Sequence, residues 1–540
     1  MDLTILIKVI AGLGLFLFGM QLMGTALQKV AGNKLKGFVN VITKNRFFAA
    51  TVGMIITMII QSSSATSVMV VGFVNAGIMT LKQAVGVIMG ANVGTTITGQ
   101  MVSIDIVKYA PIFLAIGLIV SATSESPRRK NISQILIGVG ILFIGMGYLK
   151  EAVRPLREVA AFKDALISWG QNPIKGVLIG FAVTVILQSS SATIGILIAL
   201  AAEGLIPFET ALYILYGDNI GTCTTAIISS IGSSKNAKRV AVMHLSFNII
   251  GTLLFIFILQ IPLTIFVKNI SNGNLAWEVA NAHTFFNIAN LIIQLPLAGV
   301  LIKISKLLIR SGDEKEGENH LDPRILMTPS IALKNTLIET SAMAEKALSC
   351  FEKSYKAVTE RNNKYVKEAF NIEVEVNKSE KMILQYLQDL SKTDLSNQDM
   401  LITDELFSTV NDIERIGDHS ENIAELADEY LDKSSELDKD TLKDLSVVYE
   451  KTHLALSKSI EAFSNGDIEM AKKVKGIEKE IDVLEQEGRK RHIKRMNKGK
   501  ANVDSGVIYL DILSNFERIS DHCKNICQSV IALGGNFKAD

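Results

Sequence analysis

The hexapeptide QSSSAT occurs twice in this chain, at Gln61–Thr66 and at Gln188–Thr193. Each copy interrupts a long apolar stretch and leaves two arms shorter than the about 20 residues that a bilayer-spanning helix needs. Polar groups in hydrocarbon are costly unless a partner satisfies them. The two stretches, Phe47–Ala76 and Gly176–Ala202, are therefore predicted to be re-entrant helical hairpins whose polar tips meet at one site.

The duplication extends beyond the hexapeptide. The segment GLGLFLFGM at Gly12–Met20 resembles GVGILFIGM at Gly138–Met146. After the hairpins, GANVGTT at Gly90–Thr96 resembles GDNIGTC at Gly217–Cys223 at nearly the same offset. A repeat of this extent indicates two copies of one structural unit, an arrangement that is common in membrane transporters.

Further apolar stretches are predicted to span the membrane. They are Leu3–Leu27, Ala84–Val102, Tyr109–Thr123, Ile132–Leu149, Phe208–Ile231, Val240–Val267 and Val279–Ile302. Each unit then reads as span, hairpin, span and span, and this odd number of crossings places the second unit upside down relative to the first. The membrane domain is predicted at 1–310, with repeats at about 5–130 and 131–265 and an extra span at 279–302.

Basic residues cluster in the loops of one side, including Arg46, Arg128 and Lys238. The positive-inside rule makes that side cytoplasmic, so the first hairpin enters from the cytoplasm and the second from outside. The loop 150–175 departs from the rule, because it is external in this scheme and still carries basic residues. The expected location is the bacterial plasma (inner) membrane.

The rest of the chain has a soluble character. A polar linker at 311–329 precedes a region at 330–540 with apolar residues at helical spacing and almost no strand signals. Helices are predicted near 330–358, 363–391, 399–432, 439–465, 467–496 and 503–533. These six helices fit two three-helix bundles. The predicted fold class is therefore all-α: a polytopic membrane protein of two inverted repeats with re-entrant hairpins, plus a soluble six-helix domain.

Composition narrows the function only in part. The four cysteines have neither redox nor zinc spacing, which favours reduced thiols and an intracellular soluble half. The net charge of +1 gives no reason to expect a nucleic-acid partner. The sequence contains no apparent phosphate-binding loop, nucleophile elbow or hydrolytic triad, so we expect no enzyme activity.

The hairpin breaks have the chemistry of an ion site. A break exposes helix N-termini, whose N–H groups bind anions, while hydroxyls and freed carbonyls can hold sodium. No Lys or Arg occurs from Gly176 to Ser234, so a bound anion would be neutralised by dipoles, hydroxyls and co-bound cations. Asp218, whose counterpart is Ala91, is a candidate sodium or proton ligand. The alternatives are structural: serine hydroxyls that bond the preceding turn, and an aspartate that only caps.

Two further segments share the pattern H-x-x-F-N, at His244–Asn248 and His283–Asn287. His and Asn four residues apart face the same side of a helix. Asn248 and Asn287 either line the substrate path or form interhelical hydrogen bonds.

The paired QSSS hairpins, each followed by G-x-N-x-G-T, resemble the type II sodium/phosphate cotransporter family over about residues 5–305. The resemblance implies a shared site for inorganic phosphate and sodium, the coupling ion. The implied site residues are Gln61, Ser62, Ser63, Ser64, Thr66, Gln188, Ser189, Ser190, Ser191 and Thr193. Residues that support the site or bind sodium are Asn92, Thr95, Asn219 and Thr222, with Asp218.

The soluble half also repeats. ERIGDHSEN at Glu414–Asn422 matches ERISDHCKN at Glu517–Asn525. The recurring element E-x-x-x-D places two carboxylates on one helix face. This half resembles PhoU, a helical regulator linked to phosphate uptake, over about 331–535, and the resemblance implies a divalent or iron-type metal. The implied ligands are Glu414, Asp418, Glu478, Asp482, Glu517 and Asp521, while Asn377 departs from the motif beside Glu373. The alternative is a solvated acidic face.

Together these features predict a sodium-dependent phosphate symporter that works by alternating access, with a cytoplasmic PhoU-like regulatory domain. A homo-oligomer and a phosphate-signalling partner for the C-terminal domain remain open. One rival is a transporter of another oxyanion, such as arsenate or sulfate. The other is a membrane-anchored, phosphate-responsive regulator that does not transport, although a sensor has no need of inverted symmetry.

Overall fold

A computed structural model describes residues 3–31, 45–104, 106–159, 172–310, 320–432, 437–499 and 502–535. Within those residues the regular elements are helices, and the predicted all-α class is confirmed. The chain forms two compact units, Met1–Asn319 and His320–Asp540.

Fourteen α-helices make up the described part of the first unit. They are α1 (Leu3–Ala31), α2 (Arg46–Ile60), α3 (Ser63–Asn75), α4 (Leu81–Ser103), α5 (Ala110–Thr123), α6 (Pro127–Val153), α7 (Pro173–Leu187), α8 (Ser190–Ala202), α9 (Phe208–Gly221), α10 (Cys223–Ser229), α11 (Lys235–Leu254), α12 (Gln260–Ser271), α13 (Leu275–Gln294) and α14 (Ala298–Leu308). The hairpins predicted from the hexapeptides are the pairs α2–α3 and α7–α8, and each pair breaks between its glutamine and its second serine.

Equivalent helices of the two repeats run antiparallel. The position of a Cβ on Gly12 would lie 2.8 Å from Leu149 N, and that of a Cβ on Gly19 would lie 2.3 Å from Leu142 N. Further along α1, Met23 N lies 2.7 Å from the Cβ position of Gly138. Rising numbers in α1 thus meet falling numbers in α6, as the predicted inversion of the repeats requires.

Within each repeat, a glycine permits close approach between the first hairpin arm and the helix that follows the hairpin. A Cβ on Gly90 would lie 1.8 Å from Ala50 O, and a Cβ on Gly217 would lie 1.9 Å from Val177 O. No side chain fits at these distances, so the glycines of the GANVGTT and GDNIGTC segments are explained by helix packing.

The predicted spans agree with the structure in part. In the part of the chain that the structure describes, three continuous stretches are long and apolar enough to cross a membrane, namely Leu3–Val30, Pro127–Glu158 and Lys235–Ser271. Two more are helix pairs with sharp bends, Leu81–Ser103 with Val107–Thr123 at 78° and Leu275–Gln294 with Ala298–Leu308 at 83°.

Two predicted spans are not continuous helices. The stretch Val279–Ile302 bends between α13 and α14, because Pro296 has no N–H for the helix and restricts the residue before it. The stretch Phe208–Ile231 is divided at Thr222, which separates α9 from α10. Gly221 and buried polar residues at this position weaken a regular helix.

The second unit contains six long helices in its described residues, and their bounds are close to the predicted ones. They are α15 (Pro329–Glu360), α16 (Asn363–Ser391), α17 (Asn397–Asp432), α18 (Lys439–Asn465), α19 (Ile468–Asn497) and α20 (Val503–Ala532). Their buried faces carry apolar residues such as Ile383, Leu406, Leu456 and Phe516.

Candidate substrate and ion site

The hexapeptide produces the same break in both hairpins. Gln61 ends α2 with φ 59° and Gln188 ends α7 with φ 53°, a left-handed conformation that only glycine adopts at low cost. The glutamine amide Nε2 offsets part of this cost by donating a hydrogen bond to the previous turn, to Met58 O at 2.6 Å and to Val185 O at 2.7 Å. The glutamines therefore act first as helix caps.

The first serine of each tip begins the second arm. Ser62 Oγ accepts a hydrogen bond from Ala65 N at 3.1 Å, and Ser189 Oγ accepts one from Ala192 N at 3.2 Å. These are N-cap contacts. The positive ends of the α3 and α8 dipoles lie at the two tips as a result.

Both tips line one cavity of about 220 Å³. Its polar walls include the glutamine and the three serines of each hexapeptide, namely Gln61, Ser62, Ser63, Ser64, Gln188, Ser189, Ser190 and Ser191. The remaining walls come from α1 and from small or apolar residues beside the first tip. Every described side chain that lines this cavity is uncharged. Helix termini and neutral hydrogen-bonding groups thus provide its electrostatics.

Helix α1 contributes polar residues that the sequence analysis missed. Gln21, Thr25 and Gln28 line the cavity, and Gly24 lies between them against Ile60 O of the first tip. The spacing of four and three residues puts all three polar side chains on one face of α1. The sequence contains a signal for these residues. The repeat partner of α1, helix α6, has no glutamine at the equivalent positions, so the glutamines of α1 are not explained by the shared repeat.

The first tip is held from behind by α4. Thr98 Oγ1 donates a hydrogen bond to Gln61 Oε1 at 2.8 Å, and Thr95 Oγ1 donates one to Ser63 Oγ at 3.3 Å. Thr66 is buried at the back of the tip, where Thr57 Oγ1 donates to its hydroxyl at 2.9 Å. Thr95 and Thr66 thus support the tip without lining the cavity.

The second tip is held by a buried carboxylate instead. Thr184 Oγ1 lies 2.7 Å from Asp218 Oδ1 and 3.0 Å from Thr193 Oγ1. Asp218 is fully buried, and its Oδ2 has no hydrogen-bond partner among the described residues. The equivalent position behind the first tip is Ala91, so the carboxylate is specific to the second repeat.

Asn219 and Thr222 bond within their own helix. Asn219 Nδ2 donates to Leu215 O at 2.9 Å, and Thr222 Oγ1 donates to Asp218 O at the same distance. The symmetry of the sequence motifs is therefore not carried into the hydrogen bonds, because the helix break at Thr222 has no equivalent in α4.

A second buried network links the two repeats. Asn92 Nδ2 donates to Asn248 Oδ1 at 2.9 Å, and Asn92 Oδ1 lies 3.2 Å from His244 Nε2. Asn248 Nδ2 also donates to Cys223 Sγ at 3.2 Å. These contacts match the interhelical alternative for Asn248, which does not line the cavity.

The equivalent pair on α13, His283 and Asn287, forms fewer hydrogen bonds. Asn287 Nδ2 donates to His283 O at 2.9 Å, but Asn287 Oδ1 and both ring nitrogens of His283 have no partner in the described part of the chain. Both residues are buried, and neither lines the cavity between the tips.

The predicted metal ligands of the second unit do not converge on an open cation position. Lys524 Nζ lies 2.5 Å from Glu478 Oε1 and 3.5 Å from Asp521 Oδ1, so an ammonium group already pairs with both carboxylates. In the other bundle, Arg415 pairs with Asp418 at 3.2 Å. Among the described residues, no group of three or more His, Cys, Asp or Glu side chains could hold a metal ion. The residues do not fit the metal that the PhoU resemblance implied.

Burial and mutual repulsion perturb these acids. Burial, followed by the charge of Asp521, raises the pKa of Glu517. Burial, followed by the charge of Glu478, raises the pKa of Asp482. In the first bundle, burial and then the charge of Glu421 raise the pKa of Glu373, which also accepts a hydrogen bond from Asn377. The acidic faces thus carry repulsion that their basic neighbours relieve only in part.

Known families account for both units. The model of the Na+/Pi-cotransporter family matches residues 15–151 and 156–282, which contain both hexapeptides. The chain belongs to the Na+/Pi-cotransporter family. PhoU domain models match residues 340–427 and 445–530, so this cotransporter family member also carries a PhoU region. Neither is an enzyme family, and the matches confirm the resemblances drawn from the motifs.

Several curated proteins resemble this cotransporter family member. "Putative inorganic phosphate export protein YjbB" of Escherichia coli (strain K12) is 24% identical over 532 residues, 97% of each chain. "Uncharacterized protein YqeW" of Bacillus subtilis (strain 168) is 32% identical over 307 residues, 57% of this chain and 99% of YqeW. "Sodium-dependent phosphate transport protein 2A" of Mus musculus is 34% identical over 107 residues, 19% of this chain and 17% of the mouse protein. Phosphate transport is the common theme of the informative names.

Proposed function

We propose that this protein is a sodium-coupled symporter of inorganic phosphate in the bacterial inner membrane. Phosphate would bind in the cavity between the two tips, where the serine hydroxyls and the N-terminal ends of α3 and α8 provide hydrogen-bond donors and positive potential. The observation that carries the proposal is this single cavity, built from both copies of the hexapeptide.

An uncharged lining favours a co-bound cation. Phosphate carries one or two negative charges near neutral pH, and the two helix ends together supply only about one positive charge, which is too little for the dianion. Co-bound cations can supply the missing charge. Asp218 is the strongest candidate ligand, because its buried carboxylate stands behind the second tip with one oxygen unpartnered in the described structure.

Polar residues of α1 would complete the phosphate site. Each tip glutamine uses its amide Nε2 as a cap, and Gln61 Oε1 accepts from Thr98. The amides of Gln21 and Gln28 face the same cavity and can donate to phosphate oxygens. Phosphate keeps a P–OH donor near neutral pH and sulfate has none, so a preference for phosphate over sulfate would depend on acceptors such as the amide oxygens of these side chains.

The orientation follows from the loop charges. Basic residues such as Arg46, Arg128 and Lys238 would lie in the cytoplasm, together with the PhoU region. Alternating access would expose the tip cavity first to one side and then to the other. The PhoU region would modulate transport either directly, through its own helices, or through a phosphate-signalling partner.

Flux measurements on proteoliposomes test the proposal. Purified protein is reconstituted, and entry of radiolabelled phosphate is compared under an inward sodium gradient and an equal potassium gradient. We expect accumulation only with sodium, and competition by arsenate but weakly by sulfate. Uptake of sulfate in preference to phosphate would favour the rival substrate, and binding of phosphate without flux would favour a regulator that does not transport.

Export is the second candidate, and the name of the Escherichia coli relative favours it. The driving forces for export and for uptake are different. An inside-negative membrane potential drives an uncoupled anion outward by about 2.3 kcal/mol per charge per 100 mV, whereas inward sodium movement drives a coupled anion inward. Phosphate efflux from preloaded vesicles that needs no sodium and increases with internal negative potential would identify an exporter.

A further inference from the structure

A second cavity lies apart from the tips, where the N-terminal ends of α2 and α4 approach α14. Its volume is about 520 Å³, and none of the hexapeptide residues line it. Arg46 and Lys82 contribute the two charges of its lining, with polar side chains of Asn45, Thr80 and Gln83 nearby.

The two basic groups have no acidic partner among the described residues. Within that part of the chain no carboxylate lines this cavity, and neither Arg46 nor Lys82 forms an ion pair. The guanidinium of Arg46 lies 5.5 Å from the ring centroid of Phe47, which is half exposed on the outer surface of α2. The cavity therefore combines two positive charges that no described residue neutralises with an aromatic flank.

The opposite wall is apolar. Ala298, Gly299 and Ile302 of α14 line it, together with Val85 of α4. The 83° bend after α13 turns α14 away from the direction of α13 and brings this apolar face to the basic residues. A ligand that fits has an anionic head beside an apolar chain, which is the chemistry of a phospholipid.

The inverted repeat provides an internal comparison. At the repeat offset of 127, Arg46 corresponds to Pro173 and Lys82 to Glu209. Glu209 is itself neutralised by Lys268 at 2.9 Å. Equivalent positions of inverted repeats lie at opposite membrane faces, so the basic pair is present at one face only. In the proposed orientation that face is cytoplasmic, where anionic lipids attract basic groups.

We propose that this cavity binds the phosphate group of an anionic phospholipid, with Arg46 and Lys82 on the headgroup and α14 against an acyl chain. Free inorganic phosphate shares the headgroup chemistry but cannot use the apolar wall. The choice of leaflet rests on the proposed orientation of the transporter, whereas the lipid contacts themselves do not.

Native mass spectrometry of the full chain in detergent tests the site without any transport assay. Retention of added phosphatidylglycerol is compared with that of phosphatidylcholine for the wild type, for R46Q/K82Q, and for the control R129Q/K130Q, which neutralises exposed charges elsewhere. We expect the wild type and control to retain phosphatidylglycerol preferentially, and R46Q/K82Q to bind it roughly thirtyfold more weakly, since each basic group near an anionic lipid contributes about a fivefold factor.

One further variant and one competition measurement test the apolar wall and the identity of the ligand. Gly299→Trp fills the apolar side, where a Cβ would meet no atom within 4 Å, and should also release the lipid while both charges remain. Excess inorganic phosphate should not displace phosphatidylglycerol. Equal retention by R46Q/K82Q and the control, or displacement by inorganic phosphate, would overturn the proposal. Since retention is measured in detergent, either failure would leave phosphate transport by the tips untouched.

Discussion

Thr184 Oγ1 donates a hydrogen bond of 2.7 Å to Asp218 Oδ1, and the same hydroxyl lies 3.0 Å from Thr193 Oγ1 in the second tip. An acid on one helix is thereby joined to the hairpin break on another. The first tip has the matching pair, Thr57 and Thr66, but no carboxylate behind it. This difference divides the two tips into one without an acidic group and one with a buried acidic group.

The asymmetry predicts that sodium dependence resides in the second tip. Asp218→Asn keeps an acceptor for Thr184 but removes the charge that a cation would need. We expect the sodium concentration for half-maximal uptake to rise roughly tenfold or more, because a bond to a charged group is worth about 1.5–3 kcal/mol. The phosphate KM at saturating sodium should change much less.

Thr57→Val is the matched control for this substitution. It removes the corresponding threonine contact in the first tip, where no carboxylate is present. It should affect phosphate uptake without shifting the sodium curve. An unchanged sodium dependence in Asp218→Asn would show that the coupling ion is bound elsewhere.

The α1 residues predict a separate effect on phosphate affinity. Gln21→Leu or Gln28→Leu removes a donor from the cavity, and each should raise the phosphate KM by about tenfold with little change in kcat. Gln28→Glu should weaken binding further through repulsion between like charges. Phe18→Leu, at a position on α1 that is 56% exposed on the outer surface, should behave as the wild type in the same uptake assay.

Glycine substitutions distinguish packing positions from neutral ones. Gly90→Ala and Gly217→Ala place a Cβ within 2 Å of a backbone oxygen, at 1.8 and 1.9 Å, so α2 and α7 must move away from their partners. Overpacking of this kind costs about 1–3 kcal/mol or more. Gly14→Ala meets no atom within 4 Å and should be neutral or slightly stabilising. Thermal unfolding of the purified variants gives the comparison, and a loss in Gly14→Ala equal to that in Gly90→Ala would contradict it.

Because Gln61 has a left-handed backbone, a glycine at this position should be more stable than an alanine, the reverse of the usual order in helices. Gln61→Gly removes the conformational cost along with the side-chain cap, whereas Gln61→Ala keeps the cost and loses the cap. The alanine variant should be less stable than the glycine variant by about 1 kcal/mol, the cost of a left-handed residue with a Cβ. The thermal midpoints of the two variants in detergent measure this difference, and equal midpoints would refute the cost assigned to the left-handed backbone at Gln61.

The acidic face of the PhoU region predicts a pH effect. Because the pKa of Glu517 is raised in the folded state, folding retains a proton that the unfolded chain releases. The resulting destabilisation is absent below the unfolded pKa and grows as the pH rises toward the folded pKa. Glu517→Gln should therefore stabilise the region at neutral pH but not at acidic pH, by less than about 1 kcal/mol, since the group is partly exposed.

Hydrogen exchange in peptides from α19 and α20 of the full chain can localise this effect. Glu469→Gln is the control, because Glu469 is 77% exposed and pairs only with Lys472 among the described residues. A stabilisation that is the same at acidic and neutral pH would show that repulsion is not its cause.

Much of this architecture could be predicted from local patterns. The positions of both hairpin breaks and the six helices of the second unit follow from neighbouring residues within a few turns, and the repeat follows from the matching segments of the sequence. The predicted spans did not include the helix bend at Pro296 or the break at Thr222. A long apolar composition hides the local effect of proline, and of glycine beside buried polar groups. Both signals were present in the sequence.

The contacts within the site could not be predicted in the same way. The sequence by itself determined that two QSSSAT segments would break two helices, because left-handed caps and serine N-caps depend on adjacent backbone groups. Only the tertiary structure decided that Gln21, Thr25 and Gln28 join the tips, that Asp218 stands behind one tip, and that Thr66 and Thr193 face away from the cavity. Those outcomes depend on which helix faces meet, and that is decided by close packing between residues far apart in the chain.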